Sequence, residues 1–506
     1  MLGKHDPNVE LLDAEAHCRR LVLDGSVHAF LADHRKQLFP DEMFEDLFPT
    51  GRGRPSVPGE VIASAMLLKE LEGLSDRQAA DALRLNIGWK VATGLALDDP
   101  GIHYSVFTYW RTRLKQSQQP HRIKDAVRRV VDETGVLKGK RRRALDSTLL
   151  DDAVATQDTV TQLVSAIRMV RRLIPKVQQL EVAAHDYDAS GKPVCAWDDP
   201  VAKQQLVSGL VNDALRILTA LGEQELTADQ QEAQGLLALV AGQDVEPGDT
   251  EGSWRIVQGV APDRMISIVD PESRHMHKSR SVYRDGFKAH LAVEPETGII
   301  TDASLTAANA ADGPNGVELL NDEEPGLTVL ADSAYGSADT RAKLAQAKHH
   351  AKIKPLPLRM AVPGGYDRDD FRVDHQARTV MCPAGHTVNI NPKGRASFQK
   401  HCRGCPLMDR CTTSKRGRIV MIGQNDELMV HARKQWKEPG FTDEYNLYRS
   451  MVERSISWLV ANHHRRVRYR GIQNNLFGLN LRVAALNLRK LVNLGLDHEE
   501  SWILPA

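Results

Sequence analysis

The sequence predicts a multi-domain α/β protein: a mixed sheet with flanking helices, interrupted by a helical insertion and a Cys-rich insertion, and preceded by an all-α domain. Three observations carry this. A chain of 506 residues exceeds one ordinary core, so roughly two to four domains are expected. Short apolar runs bounded by turn residues alternate with segments of helical period. Charge is also segregated, although the net formal charge is zero. Residues 111–143 carry 12 Lys/Arg against Asp125, Asp132 and Glu133, a balance of +9. Arg454 to Lys490 holds eight Lys/Arg and no acid, whereas 151–250 holds 16 Asp/Glu against seven Lys/Arg. Two basic segments flanking an acidic one read as phosphate-facing surfaces separated by a different module. Chance segregation on solvated helices is the plainer alternative.

Bulk composition excludes several classes. With 42% hydrophobic and 26% charged residues the chain is neither disordered nor fibrous. Its longest apolar runs, such as GLLALVAG, fall well short of the roughly 20 residues that span a bilayer. The N-terminus MLGKHDPNVELLD lacks the apolar core of a signal peptide. Six cysteines, four of them between 382 and 411, do not suggest a secreted disulfide scaffold. A cytoplasmic location is expected.

Taken in order, residues 1–50 are mixed, with a helix near LLDAEAHCRRLV, and TGRGRPSVPGE is a basic Gly/Pro linker. VIASAMLLKELEG, LSDRQAADALRLN and VFTYWRTRLKQ read as short helices broken by Gly and Asp-Pro-Gly turns. Ser75 is placed as an N-cap, and a helix starting near His103–Ser105 carries Tyr104, Tyr109, Arg111 and Arg113. The pattern resembles a helix-turn-helix module, with Arg111 and Arg113 as candidate DNA contacts. Any domain of short amphipathic helices would give a similar signal. This sets an N-terminal helical domain at 1–140.

Residues 144–150 form an apolar strand around Asp146. The stretch 158–261 is an acidic, mostly helical insertion: TVTQLVSAIRMVRRLI, DPVAKQQLVSGLVNDALRILTAL and ADQQEAQGLLALV. Strands RMISIVD, FKAHLAVE and GIITDASLT follow, separated by Arg-Asp-Gly and Pro-Glu-Thr-Gly turns. DGPNGVELLNDEE is a short helix, LTVLAD a buried strand, DTRAKLAQAKHH a helix and AKIKPLP a strand. The Cys-rich insertion occupies 361–440 and a helical segment, 441–506, ends the sequence. A catalytic core is thus expected from 141–157 and 262–360, completed by 441–506. Stripped of its insertions, this is the element order of a ribonuclease H-like α/β fold.

Three carboxylates lie at telling places: Asp146 in RRRALDSTLL, Asp332 in LTVLADSAYGS and Glu453 in YRSMVERSISWL. Two strand-end aspartates and one helix glutamate can converge on a pair of divalent cations about 3.5–4 Å apart, the equipment for in-line attack on a phosphodiester. Hard carboxylate oxygens suit Mg²⁺. Singly, each acid has a plainer role: Asp146 and Asp332 as caps, and Glu453 as an exposed partner of Arg449 one turn earlier.

Cys382-Pro-Ala-Gly-His386 precedes Cys402-x2-Cys405-x5-Cys411. One CxxC with two outlying cysteines has the logic of a four-thiolate structural Zn²⁺ site, with His386 in reserve. Reduced, partly buried thiols or disulfides are the alternatives. Cys18 and Cys195 are isolated. In the tail NHHRRVRYRG, Arg465, Arg466, Arg468 and Arg470 are candidate phosphate contacts. His463 and His464 read as polar surface or DNA-contact residues, and Leu481, Leu486 and Leu488 as core.

At these residues the chain resembles the DDE transposases of bacterial insertion sequences. The resemblance lies in the Ala-x-Asp-Ser-Thr setting of Asp146, in DGFKAHLAVEPETGIITDASLTAANAADG, in ADSAYGS around Asp332, and in RSMVERSISWL followed by RRVRYRG. It runs from GRGRPSVPGEVIASAMLL onward. It implies a ribonuclease H-like catalytic core with Asp146, Asp332 and Glu453 as catalytic, metal-binding acids and Mg²⁺ or Mn²⁺, as two ions, for cofactor. It also implies strand cleavage at terminal inverted repeats, transfer of the freed 3′-hydroxyl to target DNA, a homodimer in the synaptic complex, and work at the nucleoid. One branch of the family carries Tyr-x2-Arg-x3-Glu-x6-Lys. Arg449 and Glu453 fit it, but Asn446 holds the tyrosine position, between Tyr445 and Tyr448, and Val460 the lysine position. A catalytically silent end-binding regulator and a standalone metal-dependent nuclease are the alternative functions.

Overall fold

The computed structural model describes residues 1–4, 12–50, 53–222, 224–259, 261, 263–277 and 283–505. The linker read at TGRGRPSVPGE lies partly outside them, at 51 and 52. The architecture is mixed α/β with several cores. A central sheet is built from β1 (Arg142–Asp151), β2 (Arg274–His277), β3 (Tyr283–Val293), β4 (Ile300–Ala307), β5 (Thr328–Ala331) and β6 (His350–Ile353). β1 pairs antiparallel with β3 on one side and parallel with β5 on the other; β6 extends the parallel side. The far edge of β3 is shared: β4 lies along residues 287–293 and β2 along 283–286.

Strand polarity explains why β1 is central. Its alternate residues serve two faces. Ala144 and Leu150 pack with Val452, Leu459 and Leu486 of the C-terminal helices, while Leu145 packs with Leu319, Tyr335 and Leu344 on the opposite face. A strand covered on both sides is apolar throughout, which is why it was legible. RMISIVD, by contrast, is not a strand. Only Met265 makes a bridge, to Arg274, and the pairing strand is β2, a few residues on. Side chains and backbone of the helical insertion occupy its polar groups instead: Gln162 Nε2 donates to Met265 O at 2.9 Å and Gln157 N to Ile266 O at 2.8 Å.

The insertion's helices Thr159–Leu173, Pro200–Leu221 and Ala228–Gln243 close a core of their own around Leu163, Ile167, Leu210, Ile217 and Leu237. The N-terminal part holds helices Val27–Leu38, Gly59–Glu72, Asp76–Leu85, Ile87–Thr93, Ser105–Gln116 and Arg122–Thr134. Ser75 does cap its helix, in a reciprocal box with Gln78. The predicted helix at LLDAEAHCRRLV is reduced to Ala14–Cys18, followed by one 3₁₀ turn.

The C-terminal segment is three helices, Phe441–Arg449, Met451–Val460 and Ile472–Asn493. The last is shared by two cores. Leu479, Val483 and Leu486 face the sheet, whereas Phe477, Leu481, Ala485 and Leu488 join the N-terminal helices around Trp89 and Trp110. This helix therefore fixes the N-terminal body against the sheet.

Candidate active site and its comparison with known families

Register places the first two acids. β1 and β5 run parallel with Ala144 opposite Leu330. Two residues further along the chain in each case stand Asp146, in the middle of β1 and not at a strand end, and Asp332, just past the end of β5, both by alternation on the face of Ala144 and Leu330 that meets the C-terminal helices. The local chain holds both carboxylates by backbone donors: Ser147 N to Asp146 Oδ1 at 2.8 Å and Ala334 N to Asp332 Oδ1 at 2.9 Å.

Over this face lies the joint between the helices Phe441–Arg449 and Met451–Val460. Glu444 ties the first helix down, accepting from Arg142 Nε at 2.7 Å and from Lys352 Nζ, with Tyr448 beneath the Arg142 guanidinium at 4.4 Å. Arg449 then reaches Asp146 Oδ2 through Nη2 at 3.0 Å, and its Nη1 lies 4.0 Å from Glu453 Oε1. Arg449 is buried, and its Nε and Nη1 have no hydrogen-bond acceptor. Glu453 is largely exposed, at 72% of its side chain.

The electrostatics agree with one shared basin. Burial pushes the Asp146 carboxyl above the usual carboxylate range; Arg449 and the Ser147 N–H oppose this, and the Asp332 carboxylate adds to it. Tyr445 reports all three acids. Its phenol is pushed up by burial and then by Asp332, Asp146 and Glu453, against Arg449.

Several further residues lie in DGFKAHLAVEPETGIITDASLTAANAADG, the segment that carries the resemblance, without standing out there as site residues. On the other face of β1, Ser147 Oγ donates to Asp312 Oδ1 at 2.7 Å, and Lys288 Nζ lies 3.3 Å and His290 Nδ1 3.7 Å from the same oxygen. Lys288 and His290 alternate on β3 beside Ser147 and Leu149. Asp312 opens the helix Asp312–Glu318. Tyr335, buried below, feels Asp312, Asp146 and Asp332 together. The available signal was the i, i+2 spacing of Lys288 and His290 within one strand.

Of the predicted DNA-contacting arginines, Arg111 is buried, Arg113, Arg465 and Arg468 are half-buried, and Arg466 is exposed, and most already have partners within the fold. Arg111 makes a two-pronged ion pair with Asp76 at 2.9 and 2.5 Å, and Arg113 donates to Leu47 O between the rings of Phe48 and Tyr109. Arg465 donates to Thr148 Oγ1 and Leu149 O, each at 2.8 Å, Arg466 to Asp152 O at 3.0 Å, and Arg468 to Leu74 O and Gly73 O. Arg470 is exposed. His464 is not a surface residue: it sits beside Glu70, 2.9 Å from its carbonyl, and burial pushes its pKa down to about 4.

The cysteines Cys382, Cys402, Cys405 and Cys411 line one small cleft together with His386 and His401. All six cysteines are free. Burial raises the Cys411 thiol, and the three neighbouring cysteines add to the rise. Among the described residues, no group of three or more His, Cys, Asp or Glu is gathered at metal-binding spacing, in this cleft or at Asp146.

Residues 381–492 match a family described as "Transposase DDE domain", and residues 26–113 match a family described as "Transposase domain". These matches indicate a DDE-type transposase of insertion sequences. The first match spans the cysteine cleft, Arg449, Glu453 and most of the last helix; the second spans the capped helices up to Arg113. No curated relative and no solved structure matches the chain. No helix among the described residues is long and apolar enough to cross a membrane.

Proposed function

We propose that this DDE-type transposase binds the terminal inverted repeats of its insertion sequence as a dimer on double-stranded DNA and catalyses strand cleavage and strand transfer on a ribonuclease H-like core. The sheet order β4-β3-β1-β5-β6, with antiparallel then parallel pairings, supports that core. The observation that carries the reading is Asp146 in the middle of β1 beside Asp332 just past the end of the adjacent parallel strand β5, with Arg449 and Glu453 brought over them on a helix joint pinned by Glu444.

The donor chemistry fits hard divalent cations: two neighbouring carboxylates, of which Asp146 is raised by burial and further by the Asp332 charge, and a third on a solvent-facing side chain. Asp146, Asp332 and Glu453 would hold Mg²⁺ or Mn²⁺, which when bound activates the attacking oxygen and stabilises the leaving one. The chain's own residues do the rest. Ser147 N–H and Ala334 N–H orient the two aspartates. Arg449, with two donors unmatched, offers a scissile phosphate a charge-assisted contact beside Asp146. Arg470 is exposed to meet flanking phosphates.

The soft sulfurs of Cys382, Cys402, Cys405 and Cys411 line one cleft and are of the type a structural Zn²⁺ takes, but they would have to draw together to hold it, since they do not stand at metal-binding spacing.

The deciding experiment replaces Asp332 by Asn, which keeps the shape and removes the charge. With duplexes bearing the element's ends, strand cleavage should vanish while end binding persists; undiminished cleavage rejects the assignment. Joining of 3′ ends to target DNA separates a transposase from a nuclease. End binding by the unaltered chain without cation-dependent nicking would mark a silent regulator.

A further inference from the structure

Within the Cys-rich segment, residues 391–418 carry eight Lys/Arg and one acid, Asp409. The segment's other acids flank this stretch, where Asp369 pairs with Arg433 at 2.7 Å and Asp426 with Arg368. Seven of the eight cations are exposed and make no ion pair among the described residues; those on one short helix and the turn beside it are Lys400, Arg403, Lys415 and Arg416. They are neighbours in space. The turn 414–417 lies on the short helix Gln399–Cys402: a Cβ added at Gly417 would stand 2.9 Å from Cys402 Cβ and 3.0 Å from Gln399 Cα. The Arg418 N–H donates to Cys402 Sγ at 3.4 Å, and Phe398 N to Arg418 O at 2.9 Å. The two pairs of cations therefore ride on one support that the thiol cleft anchors.

We propose that Lys400, Arg403, Lys415 and Arg416 form a sequence-independent contact surface for the phosphate backbone of duplex DNA. Unpaired, acid-free cations on a rigid support match a regular row of phosphates. The helices here, Gln399–Cys402 and Met408–Cys411, are four residues each, too short to read a groove. Phe398 and Phe371 are buried against each other, and the exposed rings beside Lys400, His386 and His401, are already stacked on one another, so the cations are the main feature this face offers to DNA. The inference rests on the transposase reading for the presence of DNA, and on these four side chains for where it lies.

The test is binding of the full chain to a random-sequence duplex by fluorescence anisotropy, without divalent metal, across roughly 50–200 mM salt. Lys400→Gln/Arg403→Gln/Lys415→Gln/Arg416→Gln should weaken binding tenfold or more at the higher salt. The slope of log affinity against log salt should drop by about 2 to 4, since each phosphate contact contributes about 0.9. A control of equal charge change on the acidic insertion, Arg172→Gln/Lys176→Gln/Lys203→Gln/Arg216→Gln, should leave the slope unchanged. Each half of the fourfold variant, Lys400→Gln/Arg403→Gln or Lys415→Gln/Arg416→Gln, should carry part of the drop with melting unaltered. An unchanged slope, an equal drop in the control, or a loss confined to single strands overturns the proposal. Because cleavage is not read, intact cleavage in Asp332→Asn would sink the catalytic reading and leave this result standing.

Discussion

Arg482 is the most consequential buried cation away from the acids. From the last helix its guanidinium donates to Trp458 O at 2.5 Å, Leu459 O at 3.3 Å and Ala461 O at 3.4 Å, at the C-terminal end of the helix that carries Glu453. It also donates to Glu70 O and to Leu71 O at 3.3 Å, at the end of the helix Gly59–Glu72. It is 3% exposed, and burial pushes its pKa down to about 10, so it remains charged at neutral pH. Replacing it with Met keeps much of the volume and removes every donor. Two of the five contacts are short; a bond to a charged group contributes roughly 1.5–3 kcal/mol, giving about 3–6 kcal/mol lost. Relief of the guanidinium's own desolvation offsets a few kcal/mol of that. We expect a net destabilisation of about 3 kcal/mol. A denaturant midpoint for the transition seen by Trp458 fluorescence would register it, together with a cleavage defect greater than the binding defect as the Glu453 helix loses its anchor. Less than about 1 kcal/mol of change with full cleavage would refute the idea that this residue joins the two bodies.

His464, held at about 4 beside Arg482 and Arg468, makes stability depend on acid. Its folded pKa lies below the ordinary 6.5, so the unfolded chain binds the extra proton. The contribution is complete above about 6.5 and is lost as pH falls toward 4, by at most about 1.4 kcal/mol per pH unit. His464→Gln should flatten that part of a stability–pH profile; an unchanged profile refutes the assignment. Asp312→Asn should slow cleavage by about tenfold without changing end affinity, because Asp312 acts through Ser147 and Lys288 and not on phosphate. Equal loss of binding and cleavage would argue against that role. If the thiol cleft holds Zn²⁺, purified chain should carry one equivalent by elemental analysis, and Cys402→Ser with Cys405→Ser should abolish it; full metal content in the double variant would exclude the site.

Much of the sheet was legible because its strands are covered on both faces. Ala144, Leu145, Val329 and Leu330 are apolar in unbroken runs for that reason. RMISIVD shows the limit of the same signal. Met265 and Ile266 are buried and Val269 is exposed, and the backbone carbonyls of the buried pair meet Gln162 and Gln157, more than 100 residues earlier, instead of a neighbouring strand. Glu453 stands out in its local setting, whereas Asp312 reads only as the start of the helix DGPNGVELLNDEE. Nothing local distinguishes an aspartate that opens a helix from one that gathers Lys288, His290 and Ser147 beneath a site.

The arginine cluster makes a sharper physical point. Arg465, Arg466 and Arg468 look like a phosphate-binding run because sequence shows charge and not acceptors. In the fold their acceptors are backbone carbonyls: Leu149 and Asp152 at the end of β1, and Gly73 and Leu74 at the end of an N-terminal helix. Helix C-termini and strand ends expose carbonyls that need donors, and carry partial negative charge that favours a cation. A rigid fork of donors can satisfy several at once. The run thus fastens the segment between the Glu453 helix and the last helix to two separate bodies, and the joint that carries Arg449 and Glu453 inherits that rigidity. Charge without a countercharge nearby in sequence is therefore evidence of phosphate binding only where the structure leaves the donors free, as it does at Lys400, Arg403, Lys415 and Arg416.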